Sequence, residues 1–135
     1  MATHIAAINP NLKQLFKISA QGSRCDIIDT VELFEKNILC DSSNKKEYVL
    51  FRYKMINNQI PVRSSIKFND LISVEVHQED IPPGIVNSCG VNTGFIKMYI
   101  TAVYKDIVNT QKFEFPCSSM SYILQLEREL YKYFF

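Results

Sequence analysis

A mainly β, α+β chain is what this sequence predicts: about seven antiparallel strands in a curled sheet or small barrel, capped by a C-terminal amphipathic helix. Two observations carry that reading. Strand-like alternation runs from Phe95 to Pro116 and passes straight into a helical stretch, Ser118 to Phe135. That stretch has one apolar stripe, Ile123, Leu126, Leu130 and Phe134, at i, i+3 and i+4 steps. With no second helix to bury against, the stripe must lie on a sheet face or plug a barrel mouth.

Residues 1–24 form an N-terminal segment whose Leu12, Leu15, Phe16 and Ile18 suit a short helix after Asn9-Pro10. The same residues suit a strand running to the break at Gln21-Gly22-Ser23. The domain proper is expected over residues 25–135. From Cys25 to Asp41 two periods compete, since Ile27, Val31 and Phe34 have helical spacing while the β-branched content favours strands. The β-branched content predicts a hairpin turning at Glu35-Lys36-Asn37 and returning over Ile38 to Asp41. Asp41 to Lys46 reads as a polar loop.

Glu47 to Met55 is a clearer strand, with Val49, Phe51, Tyr53 and Met55 on one face and Tyr48, Leu50, Arg52 and Lys54 on the other. After an Asn57-Asn58 turn, Ile60 to Ile66 pairs back, and Pro61 suits an edge. In Ile72 to Gln78, Ile72, Val74 and Val76 alternate with Ser73, Glu75 and His77, as in a half-buried strand. The connection from Asp80 to Gly94 is long and rich in Pro and Gly. Phe95 to Tyr104 then places Ile96, Met98, Ile100 and Ala102 on one face, Lys105 through Asn109 turns the chain, and Phe113 and Phe115 return.

Strands followed by one closing helix, together with the segment Ser64 to Val76 that turns at Asn69-Asp70, resemble the chain order of the pleckstrin-homology (PH) superfold, bacterial PH-like domains included. Thr30 to Ile38 would belong to its opening hairpin. The resemblance implies a binding or regulatory module for lipids, peptides or proteins, and it brings no catalytic residues.

Composition narrows the function further. An apolar content of 47% suits a globular domain, and 15 basic against 14 acidic residues leave +1, so no global field draws the chain to nucleic acid. Met1 to Asn11 has no signal-peptide pattern, and no window approaches a membrane span, which makes a cytoplasmic protein that is not integral to the membrane the expectation. Cys25, Cys40, Cys89 and Cys117 show no paired metal spacing and read as reduced thiols.

The catalytic candidates are thin. Ser42 and Lys45 spell S-x-x-K, but in a polar loop and not at the start of a helix. His77 shares an outward face with Glu75, and nothing in the sequence brings Cys89 to it. Glu79 and Asp80 read as a solvated strand end, and Gly84, Gly90 and Gly94 lack the lysine of a phosphate loop. The expectation is no enzyme, no metal and no cofactor.

Two binding candidates remain. Arg52 and Lys54, read as the outward face of one strand within the basic stretch Lys45 to Lys67, could hold phosphate, an anionic lipid or an acidic peptide, or simply form a charged edge. Ile81, Ile85 and Val86 are apolar residues in the long connection, set either to cover a barrel mouth or to meet a partner. The function these residues predict is a non-enzymatic module recognising a protein, a peptide or an anionic ligand. The alternative is a self-associating homo-oligomeric subunit of a larger assembly, such as a phage or mobile-element system.

Overall fold

The computed structural model describes residues 12–21, 27–40, 43–56, 62–79 and 94–135. Among them, seven antiparallel strands form two sheets and one helix ends the chain. The first sheet runs in the order β1 (Lys13–Gln21), β2 (Ile27–Cys40), β3 (Ser43–Ile56) and β4 (Val62–Phe68). The second runs β5 (Asp70–Glu79), β6 (Phe95–Tyr104) and β7 (Ile107–Pro116). A 3-10 turn, Cys117–Ser119, leads into α1 (Met120–Phe134). The arrangement is compatible with a PH-like sandwich closed by a C-terminal helix.

The chain changes sheets at Asn69, whose amide donates to the Val103 carbonyl at 2.8 Å and so ties the corner to β6. Between the sheets lie Ile18, Val31, Leu33, Leu50, Ile66 and Phe68 from one side, facing Val74, Ile96, Met98, Ile100, Phe113 and Phe115 from the other. Helix α1 closes this core with Tyr122, Ile123, Leu126 and Leu130, all buried. Its C-terminal turn is held by rings, with Phe134 edge-on to Tyr48 at 4.7 Å and to Phe68 at 5.4 Å. The Tyr133 hydroxyl donates to the Leu15 carbonyl of β1 at 3.1 Å, and the Tyr131 hydroxyl to the Val74 carbonyl of β5 at 3.5 Å. The helix therefore bridges the margins of both sheets.

Several expectations are corrected. Of the two readings of the N-terminal segment the strand is the one observed, since residues 13–21 pair with β2 and extend the domain by contributing Ile18 to its core. No turn occurs at Glu35-Lys36-Asn37, where β2 continues unbroken and pairs with β3 from Ile27↔Ile56 to Cys40↔Ser43. The polar stretch from Ser43 to Lys46 is likewise strand. Position 72 is displaced by a register shift between Leu71 and Ser73, which leaves Ile72 exposed and turns Leu71 toward the core. The β6–β7 connection is only two residues, Lys105 and Asp106, with φ of 50° and 66°, the left-handed geometry that matches strand twist.

Because Leu126 and Leu130 are fully buried, a carboxylate at either position would stand unpaired among apolar side chains. Leu126→Asp or Leu130→Asp should remove roughly 4 kcal/mol or more and abolish the cooperative thermal transition followed by circular dichroism. A cooperative transition near the parent temperature would contradict the helix's place in the core.

Candidate functional site

Arg52 is the most heavily engaged polar side chain between the sheets. On β3 it shares its face with Leu50, which is fully buried, so the strand's alternation carries it inward. Its Nε and Nη2 donate to Asp29 Oδ1 and Oδ2 at 3.1 and 2.7 Å, a two-pronged pair with the neighbouring strand β2. Nη2 also donates to the Glu114 carbonyl of β7 at 2.9 Å, reaching the opposite sheet. The guanidinium lies 4.0 Å over the Phe115 ring. Nearby, burial pushes the Tyr122 phenol well above its ordinary range, the Asp29 carboxylate adds to that, and Arg52 offsets part of it. Lys54 moves the opposite way: burial lowers its ammonium, the Arg52 charge lowers it further, and Asp29 and Glu114 oppose.

On the outer side of the first sheet Thr30, Glu32 and Phe34 are all buried. Glu32 is buried, accepting from Gln14 Nε2 and from the Tyr53 hydroxyl, each at 3.0 Å, with Lys17 Nζ at 4.0 Å. The outer side of the second sheet is open. Glu75, His77, Gln78, Glu79 and Tyr99 line a shallow depression of about 500 Å³ there. His77 Nε2 sits 3.3 Å from Glu75 Oε2, and Lys97 Nζ sits 2.8 Å from Glu79 Oε2. Among the described residues no cluster of three or more His, Cys, Asp or Glu side chains is grouped for a metal ion.

At the margin of that sheet β5 pairs, among the described strands, only with β6. The Val74 carbonyl points away from β6, since it accepts from Tyr131, and by alternation Val76 and Gln78 turn backbone groups to the same open side. Helix α1 runs alongside in the opposite direction. Its start packs on Phe115, which lies in register with Ile96 and Gln78, and its end packs on Phe68, next to the corner. Leu124, Tyr131 and Phe135, at i, i+7 and i+11, form a second apolar line outside the core stripe, with Leu124 48% and Tyr131 43% exposed. An apolar helix face thus borders an open strand edge whose outward side chains, Glu75 and Glu79, are acidic.

Of the residues singled out from sequence, Arg52 and Lys54 share the face of buried Leu50, where Arg52 is buried and Lys54 is half-buried. Ile81, Ile85, Val86, Cys89, Ser42 and Asp80 lie outside the described residues. His77 is on the exposed face beside Glu75, and Cys117 is a free thiol. The β5 margin was not singled out, although Leu124, Tyr131 and Phe135 stood in the sequence as apolar positions surplus to the core stripe. No helix of the described residues is long and apolar enough to cross a membrane. No family model, curated protein or solved structure matches the chain.

Removing Arg52 strips the buried Asp29 carboxyl of its two-pronged partner. Arg52→Ala should therefore lower stability by about 3–5 kcal/mol in chemical denaturation, whereas Asp29→Leu combined with Arg52→Met should lose far less. Equal losses in the two variants would refute the pairing.

The Lys54 ammonium is easier to deprotonate folded than unfolded, so its charge opposes folding at neutral pH and ceases to do so as pH rises toward the ordinary lysine range. Lys54→Met should raise Tm at pH 7, and its advantage should shrink as the pH approaches 10.5. An advantage that does not change with pH would assign the effect to packing alone.

Proposed function

We propose that this chain is a non-enzymatic, PH-like binding module that takes up an extended peptide segment of a partner protein along the free edge of β5. The observation that carries this reading is the β5 edge, which pairs among the described strands only with β6 and has an exposed apolar helix line on one side and acidic side chains on the other. A strand laid beside β5 sends alternate side chains to opposite faces. One set meets Leu124, Tyr131 and partly buried Val76, which favours apolar residues. The other set lies across from Glu75 and Glu79, which favours lysine or arginine. The recognised sequence is therefore an alternation of apolar and basic residues. An anionic ligand on Arg52 is disfavoured, because its guanidinium is already committed to Asp29 and to the Glu114 carbonyl.

The test uses two synthetic peptides, one alternating valine with lysine and one alternating valine with glutamate. The lysine peptide should shift the amide resonances of Val74, Val76 and Gln78, and Glu75→Lys should weaken its binding up to about fivefold, the upper range of one cross-strand charge pair. If neither peptide perturbs those amides, or both bind equally, the reading is lost.

A further inference from the structure

The opposite margin of the same sheet has a different character. Strand β7 pairs, among the described strands, only with β6, and its first four residues, Ile107 to Asn109 and Thr110, are exposed on both faces. Ile107 is 68% and Val108 60% exposed, although both are apolar. The run Ile107-Val108-Asn109-Thr110-Gln111 carries no charge and no proline. Those are the features by which exposed edges ordinarily resist pairing with another chain.

We propose that this margin joins a second copy of the same chain, β7 against β7 antiparallel about a two-fold axis at Asn109. The inference stands apart from the peptide reading, which concerns β5. The two-residue turn dictates which groups are available. Tyr104 and Ile107 close the hairpin as a ladder pair, so odd-numbered residues of β7 bond to β6 and the even ones face outward. The Glu114 carbonyl agrees, since it faces away from β6 and takes Arg52. An antiparallel partner must therefore pair even residues with even residues.

Centring the axis on Asn109 sets Val108 opposite Thr110 of the second copy, and Asp106 opposite its Lys112. Each of these ion pairs occurs twice by symmetry. Shifting the axis by one residue to Thr110 would set Asp106 against Glu114 instead, two like charges. Charge complementarity thus favours the Asn109 axis over the Thr110 axis. Asp106 and Lys112 are both exposed, and Lys112 has only the exposed Glu114 as its ion-pair partner among the described residues, at 3.1 Å. The product is one continuous sheet of six strands, with β5 at each outer margin. Pairing this short stretch buries little area, so the dissociation constant should fall on the order of 10–100 µM.

Light scattering across a concentration series should show the mass rising from 15.6 kDa toward twice that value. Val108→Lys, at an exposed position, should keep the parent circular dichroism spectrum and weaken association at least tenfold. The register is read by cross-linking. At Asn109 the two backbones form a non-hydrogen-bonded pair with Cα atoms about 4.5 Å apart, which a disulfide can span. Position 111 lies about 14 Å from its own copy, which a disulfide cannot span. Asn109→Cys should therefore give a covalent dimer joined at the substituted position under mild oxidation, and Gln111→Cys and the parent chain should not. A mass fixed at that of one chain throughout, a folded Val108→Lys variant that associates like the parent, or equal cross-linking at positions 109 and 111 would each overturn the proposal.

Discussion

Arg52 reaches from the first sheet to the backbone of the second, and the way the sheets meet depends on it. Apolar faces alone can slide, because burial of area is nearly indifferent to small shifts of register. The Arg52 guanidinium is not indifferent. It is gripped by both oxygens of Asp29 on β2, stacks on Phe115, and ends on one particular carbonyl, that of Glu114. A buried pair of this kind adds little stability over an apolar replacement of the same shape. Its contribution here is geometric: it couples the neighbouring strands β2 and β3 to a defined point of β7. Burial chiefly depresses the Lys54 ammonium and raises the Tyr122 phenol, and the charges of the same cluster modify both.

The elements legible in the sequence were those whose two faces differ in environment. Strand β6 alternates buried and half-exposed residues along its length, and α1 has a stripe that is buried and an opposite side that is not. Strand β2 defeats that reading, because Asp29 through Phe34 are all buried, so no face is marked by polarity and helix, hairpin and strand look alike. Register shifts have a similar effect. Those between Gln14 and Phe16 and between Leu71 and Ser73 break the two-residue period where it would have been read. On β3 the error was one of sign. Charge at Arg52 and Lys54 suggests solvent, although Leu50 on the same face points to the core.

The candidate sites follow the same physical division. The β5 margin combines a strand edge with a helix side, two features far apart in sequence, and only the fold brings the Tyr131 hydroxyl to the Val74 carbonyl. The β7 margin is local, but its uncharged run reads as a turn until the tight left-handed pair at Lys105 and Asp106 is known. The two margins belong to one three-stranded sheet, with β6 between them, so each can be occupied without displacing the other.

Every ladder among the described strands joins neighbours in sequence, which makes each sheet a meander that can zip from its own turns. The contacts that unite the meanders are of another scale. Arg52 and Glu114 stand 62 residues apart, and Tyr133 and Leu15 stand 118 apart. Since α1 follows all seven strands, a chain emerging from the ribosome can form its hairpins early while their inner faces remain uncovered. During synthesis, the interval before the helix docks is therefore the one in which the apolar inner faces are most open to association with other chains.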